Sequence, residues 1–323
     1  MKGKTTLEQK KGTLLEIHDL SVSFRMYEHG ISLSHGLKQT DLQVISDLHL
    51  SVYPGEIVAI AGSSGSGKSL LASAILGILP ENATVYGHLH YKGEELTAAR
   101  QQQLRGTEIA LVPQSVAFLD PLMKVGAQVY GHRKPRQTEK RKTFFQRFGL
   151  PDKTPHLYPF ELSGGMARRV LVSTALMTDA QLIIADEPTP GMSLDQALEA
   201  LRLFREMADE GKAVILITHD IDLAFAFADR VAVFYAGTTV ETAPASDFKI
   251  GLDALRHPYS KALWNALPQN GFSPVEGFQP YAGNIPKGCL FAPRCPYKTE
   301  QCTTKVPPIR EVRGGEVRCY YGS

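Results

Sequence analysis

A glycine-rich segment with a single lysine lies between a short apolar run and a helix-forming stretch. It reads Gly62-Ser63-Ser64-Gly65-Ser66-Gly67-Lys68-Ser69 and fits the pattern G-x-x-x-x-G-K-[ST] of a phosphate-binding loop. The apolar run 57–61 predicts a buried strand before it, and residues 70–74, beginning with Leu70, predict a helix after it. The glycines let backbone N–H groups point at a phosphate, and the helix N-terminus adds its dipole. A chance glycine-serine turn is the alternative, but the flanking strand and helix favour a nucleotide as the ligand.

Two adjacent carboxylates, Asp186 and Glu187, follow the apolar run 182–185. If this run is a strand of a parallel sheet, they lie at its carboxyl end, where ligand sites of open α/β sheets occur. Asp186 and the Ser69 hydroxyl are suited to bind Mg²⁺, Lys68 to bind the β- and γ-phosphates, and Glu187 to deprotonate an attacking water. The alternative is a carboxylate pair that only ends a strand. Together with the phosphate-binding loop, the pair predicts phosphoryl transfer from a nucleotide.

The hydrophobic pattern predicts the elements that position these groups. Alternating apolar residues near 20–24 and 48–52 predict half-buried antiparallel strands, and residues 26–41 between them show no period and predict a long surface loop. A helical pattern covers 194–209. Apolar runs predict further buried strands at 109–112, 182–185, 214–217 and 230–235. This alternation of strands and helices predicts the α/β class.

Two regions depart from that alternation. Residues from about 115 to 165 are helical in pattern and punctuated by prolines, which predicts an inserted helical subdomain. Its basic runs at 133–136 and 140–142 are interpreted as a solvated helix face, with a docking surface for a partner or for anionic lipid as the alternative. From about residue 252 onward proline, glycine and cysteine become frequent, which predicts a small C-terminal appendage.

Composition excludes several function classes. The 323 residues include 35 basic and 33 acidic side chains, and the formal charge of +2 argues against bulk nucleic acid as a partner. The apolar runs end after about half a dozen residues, where about twenty are needed to span a bilayer. The N-terminus lacks the apolar stretch of a signal peptide, so we expect a cytoplasmic protein. Four cysteines, all between 289 and 319, would be an unusual disulfide framework there, which makes a metal centre worth testing.

Three further motifs occur in order along the chain. Gln114 follows the apolar run 109–112, the segment Leu162-Ser163-Gly164-Gly165-Met166 comes next, and His219 follows the run 214–217. With these motifs the chain resembles the ATP-binding cassette (ABC) ATPases. The resemblance implies the P-loop NTPase fold, with a RecA-like parallel-sheet core, an antiparallel β subdomain and an inserted α-helical subdomain.

The same resemblance implies a composite ATP site between two cassettes. One side holds the phosphate-binding loop and the residues that the family uses in catalysis, here Lys68, Gln114, Glu187 and His219. The residues expected at Mg²⁺ are Ser69, Gln114 and Asp186. An aromatic residue stacks on adenine, and Phe24 is our choice, with Tyr27 as the alternative.

The other side of each site is the signature of the partner cassette. Ser163 and Gly164-Gly165 of this chain would therefore serve the opposite site, through a hydroxyl, backbone N–H groups and a helix N-terminus. The signature ends in Met166 where many cassettes have glutamine. After Glu187 the chain is two residues longer than usual before Asp195, the residue that matches the D-loop aspartate. The D-loop crosses the dimer interface, so the two ATP sites of a dimer need not be equivalent.

The end of the chain resembles the oligopeptide/dipeptide/nickel importer branch of this family, through His257-Pro258-Tyr259 and the segment Gly288–Pro296. This divides the chain into a cassette, residues 1–251, and a C-terminal region, residues 252–323. Its cysteines are Cys289, Cys295, Cys302 and Cys319. Zinc sites usually contain close C-x-x-C pairs, which this region lacks, and four thiolates on a proline-rich loop can hold a [4Fe-4S] cluster. Some members of the branch carry such a cluster, so we prefer it, with zinc second and unmodified buried thiols third.

The resemblance implies an ATP-hydrolysing subunit of a binding-protein-dependent importer for peptides, nickel or metal chelates. Its expected place is the cytoplasmic face of the membrane, as a peripheral subunit. Its expected partners are a second cassette in a heterodimer or homodimer, two transmembrane permease subunits and, indirectly, an extracytoplasmic binding protein. The alternatives are a soluble ABC clamp acting on nucleic acid or ribosomes, and a catalytically weak regulatory half of an asymmetric ATPase pair.

Overall fold

The computed structural model describes residues 12–27, 39–131 and 145–322. The strands in this part of the chain form two sheets. They are β1 (Leu15–Tyr27), β2 (Gln39–Val52), β3 (Ile57–Gly62), β4 (Ala83–Tyr91), β5 (Glu94–Glu95), β6 (Ile109–Val112), β7 (Leu182–Asp186), β8 (Ala213–Ile217), β9 (Arg230–Tyr235), β10 (Thr238–Pro244), β11 (Ile309–Val312) and β12 (Gly315–Arg318). The helices are α1 (Lys68–Leu76), α2 (Ala98–Leu104), α3 (Val125–Tyr130), α4 (Gly164–Leu176), α5 (Leu194–Asp209), α6 (Ile221–Phe227), α7 (Ala245–Ile250), α8 (Pro258–Asn265) and α9 (Glu300–Thr304).

The first sheet is antiparallel, in the order β2-β1-β4-β5. Its strands extend further than the sequence predicts, because Met26 pairs with Thr40 and Tyr27 with Gln39. Both ends of the loop predicted for residues 26–41 are therefore strand, and that part of the prediction is wrong. The hairpin continues through backbone hydrogen bonds where side chains on both faces are exposed, so no alternation of apolar residues marks it. Residues 28–38 of the predicted loop lie outside the described residues.

The second sheet has the order β11-β12-β10-β9-β3-β8-β7-β6, and its half from β9 to β6 is parallel. The central strands β3, β7 and β8 are buried along nearly their whole length, which is why they are continuous apolar runs in the sequence. Ile60 of β3 pairs with Ile217 of β8, and Asp186 of β7 pairs with the same Ile217. The carboxyl ends of these strands therefore meet at one edge. The segments that follow them carry the phosphate-binding loop, Glu187 and His219.

The described part of the predicted helical subdomain contains α3 and three short 3₁₀ helices, Val116–Phe118, Thr154–His156 and Pro159–Glu161. Val125, Phe145 and Phe148 are buried and share a core cluster with α4. The basic runs 133–136 and 140–142 lie outside the described residues, so the interpretation of that surface stays a prediction. None of the helices in the described ranges is long and apolar enough to cross a membrane.

The C-terminal region continues the second sheet. β12 pairs antiparallel with β10, through Glu241 and Val317, and β11 pairs with β12. Strands from beyond residue 251 therefore extend the sheet that carries the phosphate-binding loop. The division of the chain at residues 251 and 252 stays a prediction.

A buried ion network joins this region to β10. The side chain of Arg256 is 1% exposed and that of Glu241 is 0% exposed, and Nη1 of the arginine lies 3.2 Å from Oε1 of the glutamate. Nη2 lies 2.8 Å from Asp247, and Nε donates to the carbonyl of Val312 at 2.5 Å. Charges buried this fully are stable only when each has its partners.

Replacing Arg256 with methionine tests this network. The variant keeps much of the side-chain volume but leaves Glu241 buried without its guanidinium partner, so we expect the free energy of unfolding to fall by about 3–5 kcal/mol. Urea unfolding measures the change. Arg147→Met is the control, because Arg147 pairs with Glu199 and Glu206 at the surface and is 34% exposed. Its expected loss is about 0–1 kcal/mol, and equal losses for the two variants would contradict a special role for the buried network.

Candidate nucleotide-binding site

The phosphate-binding loop connects β3 to α1. Gly62 lies so close to the neighbouring strand β9 that a Cβ on it would lie 2.3 Å from the carbonyl oxygen of Phe234. Gly67 is the N-cap of α1 with a φ of 92°, in the left-handed region that favours glycine. Because α1 begins at Lys68, the first N–H groups of this helix have no partner within it. The loop and the helix start therefore form the predicted cradle for a phosphate.

Lys68 folds back over this loop. Its Nζ donates to the carbonyl of Gly62 at 2.9 Å and to the carbonyl of Ser63 at 3.0 Å. Burial lowers the pKa of Lys68, and the nearby carboxylates of Glu187 and Asp186 act in the opposite direction. The lysine charge thus lies between the loop and the two predicted acidic residues.

Ser69 and Asp186 come together as predicted. The Ser69 hydroxyl lies beside the Asp186 carboxylate, and Asp186 is buried. Burial raises the pKa of Asp186, and the charge of Glu187 adds to that effect, while the nearby Ser69 hydroxyl opposes it. In the described part of the chain, Oδ1 of Asp186 is buried without a hydrogen-bond partner. A buried carboxylate oxygen that lacks a partner, beside a hydroxyl oxygen, is a donor set that suits Mg²⁺, so these residues fit the ion.

Glu187 and His219 form the other predicted pair. Glu187 follows β7 with a φ of 48°, which is uncommon for a residue other than glycine. Its N–H donates to the carbonyl of Ile217 at 2.8 Å. Its Oε2 lies 2.7 Å from Nδ1 of His219 and accepts the His219 backbone N–H at 3.4 Å. Glu187 is 8% exposed whereas the His219 side chain is 71% exposed, so a buried carboxylate is oriented by a histidine at the surface.

Gln114 lies in the exposed turn after β6. Its backbone carbonyl accepts a hydrogen bond from Nη2 of Arg168 at 2.5 Å, and the carbonyl of Pro113 accepts one from Nη1 at 3.1 Å. Arg168 belongs to α4, so this buried guanidinium ties the signature helix to the Gln114 segment. The sequence analysis missed Arg168. Two consecutive arginines in an otherwise apolar stretch of α4 were the available signal, because a buried arginine needs acceptors.

The signature begins α4 and is presented at the surface. Ser163 is the N-cap of this helix, and its hydroxyl accepts the N–H of Met166 at 3.3 Å. Ser163 and Gly164 are exposed, and a Cβ on Gly164 would have nothing within 4 Å in the described structure. A hydroxyl, glycine backbone and a helix N-terminus are therefore open to another molecule.

The lengthened segment after Glu187 lies beside the signature. The carbonyl of Gly191 is 3.0 Å from the position that a Cβ on Gly165 would occupy. Asp195 is exposed in the first turn of α5, where Ser193 and Gln196 form a capping box. The inserted residues thus contact the signature of their own chain, and Asp195 is left at the surface.

The two candidates for adenine stacking differ in exposure. Phe24 pairs with Leu42 and Ala83 in the antiparallel sheet and packs against the core. Tyr27 is 55% exposed, and its hydroxyl accepts a hydrogen bond from Gln39 at 3.0 Å. The structure does not decide between them, so the choice of Phe24 stays a prediction.

The phosphate-binding loop is also contacted from the C-terminal region, which the sequence analysis did not foresee. The Ser63 hydroxyl donates to Oε1 of Gln279 at 2.8 Å, and Nε2 of Gln279 donates to the carbonyl of Gly65 at 3.4 Å. The phenol of the buried Tyr259 lies near the hydroxyl and the backbone N–H of Ser63, which oppose the rise that burial causes in its pKa. Ser63 and Gln279 are 216 positions apart, so no local pattern could have indicated this contact.

The four cysteines lie near one another, as free thiols. Burial raises the pKa of Cys289 to about 11, and the neighbouring thiols add to this. For three of the four, a nearby backbone N–H two residues further along the chain opposes the rise in the thiol pKa. The pairs are Cys289 with Phe291, Cys295 with Tyr297, and Cys319 with Tyr321.

Known proteins resemble the chain over nearly its whole length. A family model described as ABC transporter matches residues 45–190, and one described as the oligopeptide/dipeptide transporter C-terminal region matches residues 240–302. A putative peptide import ATP-binding protein of Brucella melitensis is 34% identical, over 97% of this chain and 96% of the relative. The dipeptide transport ATP-binding protein DppD of Escherichia coli is 33% identical, over 90% and 94%. The oligopeptide transport ATP-binding protein OppD of Salmonella typhimurium is 32% identical, over 98% and 96%.

Solved structures agree in fold. An ATP-binding subunit of an ABC transporter has a TM-score of 0.60 at 23% identity, covering 74% of this chain and 92% of that one. A dimeric bacterial ABC transporter cassette has a TM-score of 0.59 at 22% identity, covering 72% and 99%. These neighbours confirm the predicted P-loop NTPase fold, and the relatives confirm the resemblance on which the site was predicted. The chain therefore belongs to the ABC transporter family, as an ATP-binding subunit of the oligopeptide/dipeptide type.

Proposed function

We propose that this chain hydrolyses ATP as one cassette of a dimer that energises the import of peptides. The observation that carries the proposal is the meeting of Lys68, the Ser69–Asp186 pair and the Glu187–His219 pair around one edge of the sheet. The exposed signature, from Ser163 to Gly165, would complete the site of the second cassette.

The chemistry follows from these positions. The loop N–H groups and the N-terminus of α1 bind the phosphates, and Lys68 exchanges its two carbonyl partners for phosphate oxygens. Ser69 and Asp186 would hold Mg²⁺, which when bound neutralises charge on the β- and γ-phosphates. Glu187 accepts a proton from water as the water oxygen bonds to the γ-phosphorus. The bond from that phosphorus to the bridging oxygen breaks, and ADP and phosphate are the products.

The partners follow from the incomplete site. One side of the ATP site lies on this chain, so a second cassette, identical or different, would supply the other. We further propose two transmembrane permease subunits as separate chains, with this subunit peripheral at the cytoplasmic face of the membrane. Gln114 would transmit nucleotide occupancy to the helical segment, because Arg168 holds both. An extracytoplasmic binding protein would deliver the cargo to the permeases.

The cargo is inferred from the relatives. Their names refer to import of peptides, dipeptides or oligopeptides, and we propose peptides for this chain on that basis. Nickel or metal chelates are the second candidate, since cargo is selected by subunits other than this one. A soluble clamp on nucleic acid or ribosomes is disfavoured, because the relatives are transport subunits and the net charge is only +2.

The lengthened segment after Glu187 bears on the alternative in which this chain is the catalytically weaker half of an asymmetric pair. The lengthened segment places Gly191 against Gly165 of the signature and leaves Asp195 exposed. Those residues would face the second cassette, so they would affect the partner's site more than this chain's own. The bonded Glu187–His219 pair supports turnover at the site that this chain carries.

For the C-terminal region we propose a [4Fe-4S] cluster on the four cysteines, with a structural or sensing role. Backbone N–H groups directed at three of the sulfurs suit thiolate ligands. Four sulfurs bound to one zinc ion at about 2.3 Å would lie about 4 Å apart. Among the described residues, no three cysteine sulfurs lie within 4.8 Å of one another, so they are not gathered as closely as zinc ligands would be. Zinc is the second candidate, and unmodified thiols are the third.

Glu187→Gln tests the catalytic assignment. Glutamine keeps the shape but cannot take the proton from water, so we expect turnover at this chain's site to fall by about 10²-fold or more, with ATP still bound. ATPase activity and dimer formation with ATP are measured on the complex purified with its native cassette partner and membrane subunits. Glu210→Gln, at the exposed end of α5, is the matched control and should keep full activity. Unchanged activity in the Glu187 variant would overturn the assignment, or show that the partner's site carries the turnover.

Metal analysis tests the cysteine centre. Protein purified without oxygen should contain about four iron and four sulfide per chain and absorb visible light as clusters do. Replacing Cys302 with serine should lower the iron content, whereas the control Ser260→Ala, at a residue of the same region that is not a cysteine, should not. Stoichiometric zinc, or neither metal, would exclude the cluster.

A further inference from the structure

Ser63 is held at its carbonyl and at its hydroxyl. Its carbonyl accepts a hydrogen bond from Lys68 at 3.0 Å. Its hydroxyl donates to Gln279 at 2.8 Å, and the Tyr259 phenol lies near its N–H and hydroxyl. Two of these three partners come from the C-terminal region rather than from the strand and helix that carry the loop.

Tyr259 is itself fixed in place. It is 6% exposed, and its N–H donates to Nδ1 of His257 at 3.0 Å. Burial lowers the pKa of His257 to about 3, so this ring stays neutral and keeps its acceptor nitrogen near neutral pH. The Tyr259 ring packs 4.4 Å from that of Tyr235 and 5.4 Å from that of Phe291, measured between centroids. A phenol with so little freedom can restrict the position of Ser63 beside it.

Gln279 is positioned by the loop between Cys289 and Cys295. Arg294 in that loop donates to the carbonyl of Glu276 at 3.0 Å and to that of Val275 at 2.7 Å, just before Gln279 in the chain. The Arg294 guanidinium also lies 5.9 Å from the ring centroid of Phe291. The cysteine-bearing loop thus supports both contacts with Ser63.

We propose that Tyr259 and Gln279 are positioning residues for the phosphate-binding loop, which they hold in its nucleotide-binding shape through Ser63. The position of Ser63 in turn fixes its carbonyl, which accepts a hydrogen bond from Lys68. A loop held in this way does not have to be ordered when ATP arrives, so affinity is gained without a direct contact to the nucleotide. The inference rests on the binding of ATP by residues 62–69.

Binding of ADP to the purified full-length chain, measured by isothermal titration calorimetry, tests the inference. Tyr259→Phe keeps the ring in its aromatic cluster but removes the phenol oxygen beside Ser63, so the Kd should rise about three- to tenfold. Gln279→Ala should raise it about two- to threefold. In the assembled transporter, KM for ATP should rise in both variants while kcat is retained.

Two controls separate the possible failures. Tyr320→Phe removes a phenol hydrogen bond, 3.1 Å to the carbonyl of Val306, within the same C-terminal region, and should leave the Kd unchanged. Lys68→Ala should raise the Kd more than tenfold; if it does not, the assignment of the nucleotide site fails. If Lys68→Ala weakens binding but Tyr259→Phe leaves the Kd unchanged or lowers it, the positioning role is wrong. A lower thermal midpoint with unchanged Kd would likewise show that Tyr259 is only structural.

Discussion

The parallel pairing of β3, β8 and β7 is the constraint on which the site depends. Asp186 is in register with Ile217, and the next N–H, from Glu187, donates to the Ile217 carbonyl. His219 lies two residues beyond Ile217, so this register brings the glutamate and the histidine to 2.7 Å. A slip of one residue would turn the alternate set of side chains toward the site and would separate Glu187 from His219. The fully buried apolar strands prevent that slip, because it would move bulky side chains out of places in a packed core.

Burial at this edge opposes the charges that the chemistry needs. It lowers the pKa of Lys68 and raises that of Asp186, which means that it disfavours the ionised form of both. Lys68 and Asp186 carry opposite charges, which partly restores the ionised form of both. The charge of Arg168 acts in the same direction on Asp186. One oxygen of Asp186 is still left without a donor in the described residues. A buried carboxylate oxygen without a donor lowers the stability of the fold, and a bound cation would take the place of the missing donor. Binding sites are where such unfavourable groups are expected.

The sequence predicted the parts of this site that local pattern can encode. A few neighbouring positions are enough to recognise Gly62–Ser69 between an apolar strand and a helix, and the same holds for Asp186 at the end of another strand. The parallel sheet then brings the two together. The contacts of Arg168 with the Gln114 segment could not be predicted in the same way, since a buried arginine indicates that acceptors exist but not which ones. The pairing of Tyr27 with Gln39 was missed because exposed hairpin ends carry no apolar alternation. The contact between Tyr259 and Ser63 depends on the path of the chain through the C-terminal region, which no spacing encodes.

The two surfaces that this chain would offer to nucleotides are held in different ways. The phosphate-binding loop is fixed by the central strand β3 and, from the far side, by Tyr259 and Gln279. The signature begins α4 and is contacted by the segment that contains Gly191, and Arg168 of that helix holds the carbonyls of Pro113 and Gln114. Any displacement of the Gln114 backbone therefore has to move Arg168 or break two hydrogen bonds of a buried guanidinium, which is expensive. The Gln114 segment is therefore tied to the signature helix, whereas the phosphate-binding loop is tied to the sheet. A nucleotide that draws Gln114 toward the loop would thus also change the position of Ser163, the group that this chain offers to the other site.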